Sequence, residues 1–222
     1  MPARLPSQPP HEPPRDCPLC PRLVATRLAL RAEEPGWHNA PVPAFGLLTA
    51  QLLIVGLAPG RNGANRTGRP FTGDGAGELL YPKLLEHGFA RGTYRADPHD
   101  GLELVDCRIS NAARCLPPEN KPTPKEVATC SGTYLVREIA AMPNLVTILA
   151  LGRIAHDAVA RTLGCKPPPA FAHGASHAIG AHTLVNSYHC SRYNLNTGRL
   201  TPAMFDAAME RVKDQLRTEA SS

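Results

Sequence analysis

Four short apolar runs divide the chain: "QLLIVGL" (51–57), "LELVDCRIS" (102–110), "NLVTILALG" (144–152) and "HTLVNSYH" (182–189). Each is too short for a helix and rich in branched aliphatics, so each predicts a buried strand. The segments 77–89, 123–142, 153–164 and 201–220 repeat their apolar positions at helical spacing and predict helices. Thr123-Pro124 with Glu126, and Thr201-Pro202, supply an N-cap followed by proline at the first helical position. Alternation of strand and helix implies parallel strands joined by right-handed crossovers, with helices on both faces. The expected fold is therefore a three-layer α/β/α domain.

Ligands of such sheets bind beyond the carboxyl ends of the strands. Four loops follow from this: "GLAPGRNGANRTGRPF", "SNAARC", "LGR" and "SYHCSRYN" should meet on one rim. "CKPPPAFAHGASHAIG" (165–180) predicts a long surface connection.

Composition bounds this picture. With 222 residues, 42% of them hydrophobic, the chain has material for one sizeable core. Six of the first 14 residues are proline, which predicts a disordered leader over 1–16 and one domain over 17–220. The +5 net charge favours a nucleic-acid or phosphate partner without deciding it. No apolar stretch approaches the ~20 residues of a membrane helix, and the N-terminus has no signal-like segment, so a soluble cytoplasmic protein is expected.

Seven cysteines, an odd number, point to metal ligation or free thiols rather than disulfides. "CPLC" places Cys17 and Cys20 at the spacing of two thiolates on one centre, and Cys115 and Cys130 make up a set of four. Zinc and a cubane cluster both accept four cysteines, so spacing leaves the metal open. Cys107 in an apolar strand, Cys165 in a loop and Cys190 are left outside the site.

The loop at 56–77 holds seven glycines and two prolines directly after a strand, which lets backbone approach a ligand. It matches neither dinucleotide nor phosphate-loop glycine patterns. Asn62, Asn65, Arg66, Thr67, Arg69, Phe71 and Asp74 add groups suited to stacking on and hydrogen-bonding a planar base, with Asp74 also placed to cap the helix that follows.

Four motifs in order, "CPLC", "GLAPG…GANRTGRPFTGD", "NAARCLPPENKPTP…C" and "HCSRYNLNTGRLT", extend from Cys17 to Thr201. With them the chain resembles the family 5 uracil-DNA glycosylases, a 4Fe-4S branch of the uracil-DNA glycosylase superfamily. The resemblance implies a four-stranded parallel sheet and monomeric action on double-stranded DNA, with single strands also possible substrates. It implies removal of uracil by N-glycosidic hydrolysis in base excision repair. It also selects a 4Fe-4S cluster for Cys17, Cys20, Cys115 and Cys130.

Under this resemblance the catalytic candidates are His189, donating to the base oxygen, and Asn111 and Asn65, holding water or the base edge. Gly56, Ala58, Gly60 and Phe71 join Asn111 and His189 around the base. Arg66, Arg69, Ser191, Arg192, Tyr193, Asn194 and Thr197 are the expected DNA contacts, the last loop entering the duplex where the base has left. Where other branches carry a polar side chain in the first motif, this chain reads Leu57-Ala58-Pro59. A small apolar Ala58 predicts tolerance of other deaminated bases, hypoxanthine and xanthine. The competing reading is a noncatalytic iron-sulfur module that binds damaged DNA.

Overall fold

The computed structural model describes residues 10–220. Its elements run α1 (Pro21–Glu33), β1 (Leu52–Gly56), α2 (Ala64–Thr67), α3 (Gly77–Glu86), β2 (Ala90–Arg91), β3 (Glu103–Leu104), β4 (Cys107–Asn111), α4 (Pro124–Cys130), α5 (Val136–Ala140), β5 (Thr147–Leu151), α6 (Arg153–Thr162), β6 (Ser176–Ile179), β7 (His182–Ser187), α7 (Arg192–Asn196) and α8 (Pro202–Ala220). The central sheet has the order β4-β1-β5-β7-β6. Its first four strands are parallel, and β6 pairs antiparallel with β7 along the edge.

Strands β1, β4 and β5 are buried at every position, as parallel strands covered on both faces must be. Leu52, Ile54 and Leu149 face α3 and α8, whereas Leu53, Val55 and Ile148 face α4, α5 and α6. These two cores make the three-layer domain expected from the alternation. The four anticipated strands form its parallel part; β6 is the difference, because its half-exposed edge pattern lacks an apolar signal. The run 102–110 is split by Asp106, whose φ of +47° turns the chain between β3 and β4.

The expected helix over 123–142 forms as α4 and α5 joined through a π-helical stretch, Ser131–Leu135. Its start is the N-cap legible in the sequence, closed here as a capping box: Thr123 Oγ1 accepts from the Glu126 amide, and Glu126 Oε2 accepts from the Thr123 amide. Among the described residues no helix is long and apolar enough to cross a membrane.

The expected disordered leader divides in two. Residues 1–9 lie outside the described residues, whereas residues 10–16 lie against the domain, which corrects the boundary drawn at 17. The Glu12 carboxylate pairs with Arg108 at 3.0 Å and with Arg114, and it accepts from the Ala44 amide. Two buried guanidiniums create a demand for carboxylate that proline content does not register. Behind them Glu138, fully buried, accepts from Arg108 Nε at 2.6 Å, Arg114 Nη1 at 3.0 Å and Ser110 Oγ at 2.7 Å. Removing one partner of such a buried pair strands the other charges. Glu138→Ala is expected to lower the unfolding free energy by about 3–5 kcal/mol, measured by urea denaturation.

Candidate active site

Parallel pairing places Gly56 of β1 beside Asn111 of β4, so both chains leave the sheet at one level. The ladder continues past the strands: the Ala112 amide donates to Gly56 O and the Ala113 amide to Leu57 O, both at 2.9 Å. On the other side the Gly152 amide donates to Ser187 O at 2.8 Å. The loops after β1, β4 and β7 thereby enclose a pocket of about 410 Å³ that includes Ala58, Gly60, Phe71, Asp74, Asn111 and His189, a volume typical of ligand sites. The loop after β5 lies across His189 in an adjoining pocket.

Gly56 is the floor beneath two of these side chains. A Cβ there would lie 2.5 Å from both Asn111 Oδ1 and Phe71 Cζ. Only glycine lets the amide and the ring descend onto the strand end. Asn111 is buried, and its Oδ1 has no hydrogen-bond partner among the described residues. An orphan acceptor at a pocket wall calls for a donor from a ligand or water. Phe71 holds a φ of +52°, a strained conformation for a residue with a side chain, and its ring centroid is 6.1 Å from that of His189.

His189 leaves β7 half-buried, with neither ring nitrogen hydrogen-bonded among the described residues. Its carbonyl accepts from Asn194 Nδ2 at 2.8 Å, which fixes the backbone that carries the ring. Burial pushes the imidazole below its ordinary pKa, and the Asp74 charge offsets part of that shift. The ring is accordingly neutral at pH 7 and has an N–H to donate. Asp74 Oδ1 accepts from the Ala76 and Gly77 amides at the start of α3, as its capping position predicted. Its Oδ2 turns toward the glycines of the first loop: a Cβ on Gly63 would collide with it and one on Gly60 would lie 3.1 Å away.

Several sequence candidates stand elsewhere. Asn65 does not line the pocket: it is buried, donates to Asn39 Oδ1 at 2.9 Å, and through Asn39 ties the first loop to the carboxyl end of α1. Arg69 faces inward: both oxygens of Asp100 bind its guanidinium at 2.8 Å while the rings of Phe45, Tyr81 and Tyr94 surround it. That pairing holds the Asp100 carboxyl well below the usual carboxylate range. Asn194 spends its amide on His189 rather than on the surface.

Arg66, Arg192, Tyr193 and Thr197 are exposed. Arg192 pairs with Glu78 at 2.9 Å, and Tyr193 is the large aromatic most open to solvent, at 71%. Ser191 caps α7 and also lines the pocket. Asn62, one of the polar groups of the first loop, lines it as well, and so does Asn120, which no sequence pattern singled out. Asn120 has a φ of +56° in the turn between Cys115 and Cys130; its approach to the pocket depends on how that cysteine loop folds.

Cys17, Cys20, Cys115 and Cys130 line one small cavity together with Leu23, Arg27, Arg114 and Tyr134. Cys20 caps α1 and Cys130 ends α4, and the ion pair of Arg22 with Glu126, at 2.7 Å, joins those two helices. The donor set is sulfur alone, with neither imidazole nor carboxylate in the lining. Burial raises Cys115 to about 11 and Cys130 to about 12, so these thiols ionise only when a cationic centre binds them. Among the described residues, no three histidine, cysteine or acidic side chains converge as they would around a single ion. Ala58 and Ala113 pack against Cys17, Cys130 and Tyr134, so this cavity and the pocket share a wall. Cys107 and Cys190 are buried in the sheet's other core, away from this cavity.

The family model of the uracil DNA glycosylase superfamily matches residues 43–213. A type-5 uracil-DNA glycosylase of Thermus thermophilus is 46% identical over 198 residues, covering 85% of this chain and 89% of the relative. One from Mycobacterium tuberculosis is 40% identical over 207 residues, covering 89% and 77%. A type-4 uracil-DNA glycosylase of Archaeoglobus fulgidus is 40% identical over 116 residues, covering 51% and 49%. With the order of its motifs realised in one pocket and one cysteine cavity, the chain belongs to the uracil-DNA glycosylase superfamily, in its type-5 branch.

Proposed function

We infer that this protein is a uracil-DNA glycosylase that hydrolyses the N-glycosidic bond of a deaminated base in DNA. The observation that carries the reading is the convergence of the Phe71 ring, the unpaired Asn111 oxygen and the free His189 imidazole on one pocket at the strand ends. A base extruded from the helix enters such a pocket at a cost of a few kcal/mol, which stacking on an aromatic ring offsets.

The chemistry follows from what each group offers. Glycosidic cleavage develops positive charge on the sugar and negative charge on the departing base. Neutral His189 donates to the base oxygen as it becomes anionic, the role of an oxyanion-hole donor. Asn111 Oδ1 accepts the imide N–H of uracil, or orients the water; an amide is too weak a base to deprotonate water at neutral pH. Asp74 Oδ2 is the carboxylate oxygen facing this loop, placed to favour positive charge at the sugar. The same N–H and C=O edge occurs in hypoxanthine and xanthine, and Ala58 presents no side chain to reject the larger rings. Both are included as substrates.

Ser191 at the cap of α7, with Arg192 and Tyr193 in its first turn, forms the rim that meets double-stranded DNA, with Tyr193 filling the vacated space and the protein acting as a monomer. The four cysteines fit a 4Fe-4S cluster by donor chemistry and by surrounding a cavity. Such a cluster would tie the N-terminal segment, the loop after β4 and the end of α4 into one support for the pocket wall. Excision needs no electron from it.

Alkali-induced strand scission of uracil- and hypoxanthine-containing duplexes measures the activity, and binding without scission would establish the noncatalytic module instead. His189→Ala and Asn111→Ala are each expected to slow excision by about 10²–10³, with unchanged thermal unfolding. Gly56→Ala, which drives a methyl into Asn111 and Phe71, is expected to cost at least about tenfold in rate, read in single-turnover assays. In histidine NMR titrations His189 should protonate with a midpoint below 6.5, so excision stays level from pH 7 to 8 as far as this ring is concerned.

A further inference from the structure

Arg27 lies on the buried face of α1, 5% exposed, and lines the cavity of the four cysteines. Its Nη2 donates to the Cys17 carbonyl at 3.1 Å, and its Nη1 stands 4.0 Å from Cys115 Sγ. Its Nε is buried with no acceptor among the described residues. Arg114, the other arginine of the cavity, is neutralised by Glu12 and Glu138. Arg27 has no such pairing within ion-pair distance among the described residues. Asp16, an acid that feels its charge, is exposed and held by Arg31 at 2.6 Å.

A guanidinium buried without an anion is costly, and a buried N–H without an acceptor adds to that cost. Both deficits disappear if the cavity holds an anion. Four thiolates carry more negative charge than the cubane core carries positive, so the ligated centre is itself an anion with sulfur acceptors on its surface. Two other sulfurs already have partners: Tyr134 Oη lies 3.4 Å from Cys17 Sγ and can donate to a thiolate there, and the Arg114 amide donates to Cys130 Sγ at 3.3 Å. We propose that Arg27 is the buried counter-charge of the cysteine-ligated cluster, acting as a positioning residue through Cys115 and through its unpartnered Nε. This rests on the iron-sulfur reading above.

The test uses anaerobically purified full-length protein and the variants Arg27→Met, Arg27→Gln and Arg27→Lys. Iron and sulfide content, bleaching of the visible absorption by EDTA, and the cluster midpoint potential by film voltammetry are measured for each. Removing a neighbouring positive charge makes electron uptake harder, so the Met and Gln variants should have a lower potential than wild type and bleach about tenfold faster. Arg27→Lys, which keeps the charge, should hold a near-wild-type potential. A merely structural arginine would alter bleaching in all three and leave the potential in place, and that result overturns the proposal. If the neutral variants retain no iron, retention by Arg27→Lys alone supports it, and loss by all three overturns it. An iron-free wild type overturns the cluster reading and this inference together, which separates that failure from the failure of Arg27 alone.

Discussion

The parallel pairing of β1 with β4 is the constraint on which the rest of the site depends. In that register Gly56 and Asn111 leave the sheet side by side, and two further hydrogen bonds carry the ladder into the loops. A glycine-rich segment of 22 residues is thereby anchored at its root to the strand that supplies Asn111. The missing side chain at Gly56 is the second half of the constraint, because Asn111 and Phe71 occupy the space a methyl would take. A strained φ at Phe71 persists when surrounding contacts over-determine it, and the contact of its carbonyl with the start of α3 is one of them.

The cysteine cavity extends that support outward. β4 leads within four residues from Asn111 to Cys115, and Ala58 of the first loop packs on Cys17 and Cys130. Arg22 and Glu126 hold the helices that start after Cys20 and end at Cys130. One small wall of alanines thus separates a sulfur-lined cavity from a polar pocket. Strain or loss on the cysteine side acts on the pocket through packing, with no side chain common to both chemistries.

Much of this was legible in the sequence because it is written in local patterns. Runs of aliphatics marked four strands, helical spacing marked α3, α4, α6 and α8, and Thr123-Pro124 with Glu126 marked the N-cap at which α4 begins. The rule that ligands gather at strand ends pointed to the loops of Phe71, Asn111 and His189, which line one pocket. Helix α1 escaped notice because its buried stripe includes Arg27 between Leu23 and Leu30, and a charged residue on the inner face breaks the apolar period.

What the sequence determined by itself was the type and order of the main elements, the four loops that meet, and the chemical character of the pocket and cysteine set. These depend on spacing of a few residues and on the rules of parallel sheets. Tertiary structure alone decided which polar side chains face the pocket and which serve the scaffold. Asn65 and Arg69 sit in the same loop as Phe71, yet Asn39 and Asp100, distant in the chain, turn them inward. Glu12 in a proline-rich segment finds two arginines from β4 and its loop. A polar group takes its role from the partner that satisfies it, and those partners lie tens of residues away, where no local pattern reaches.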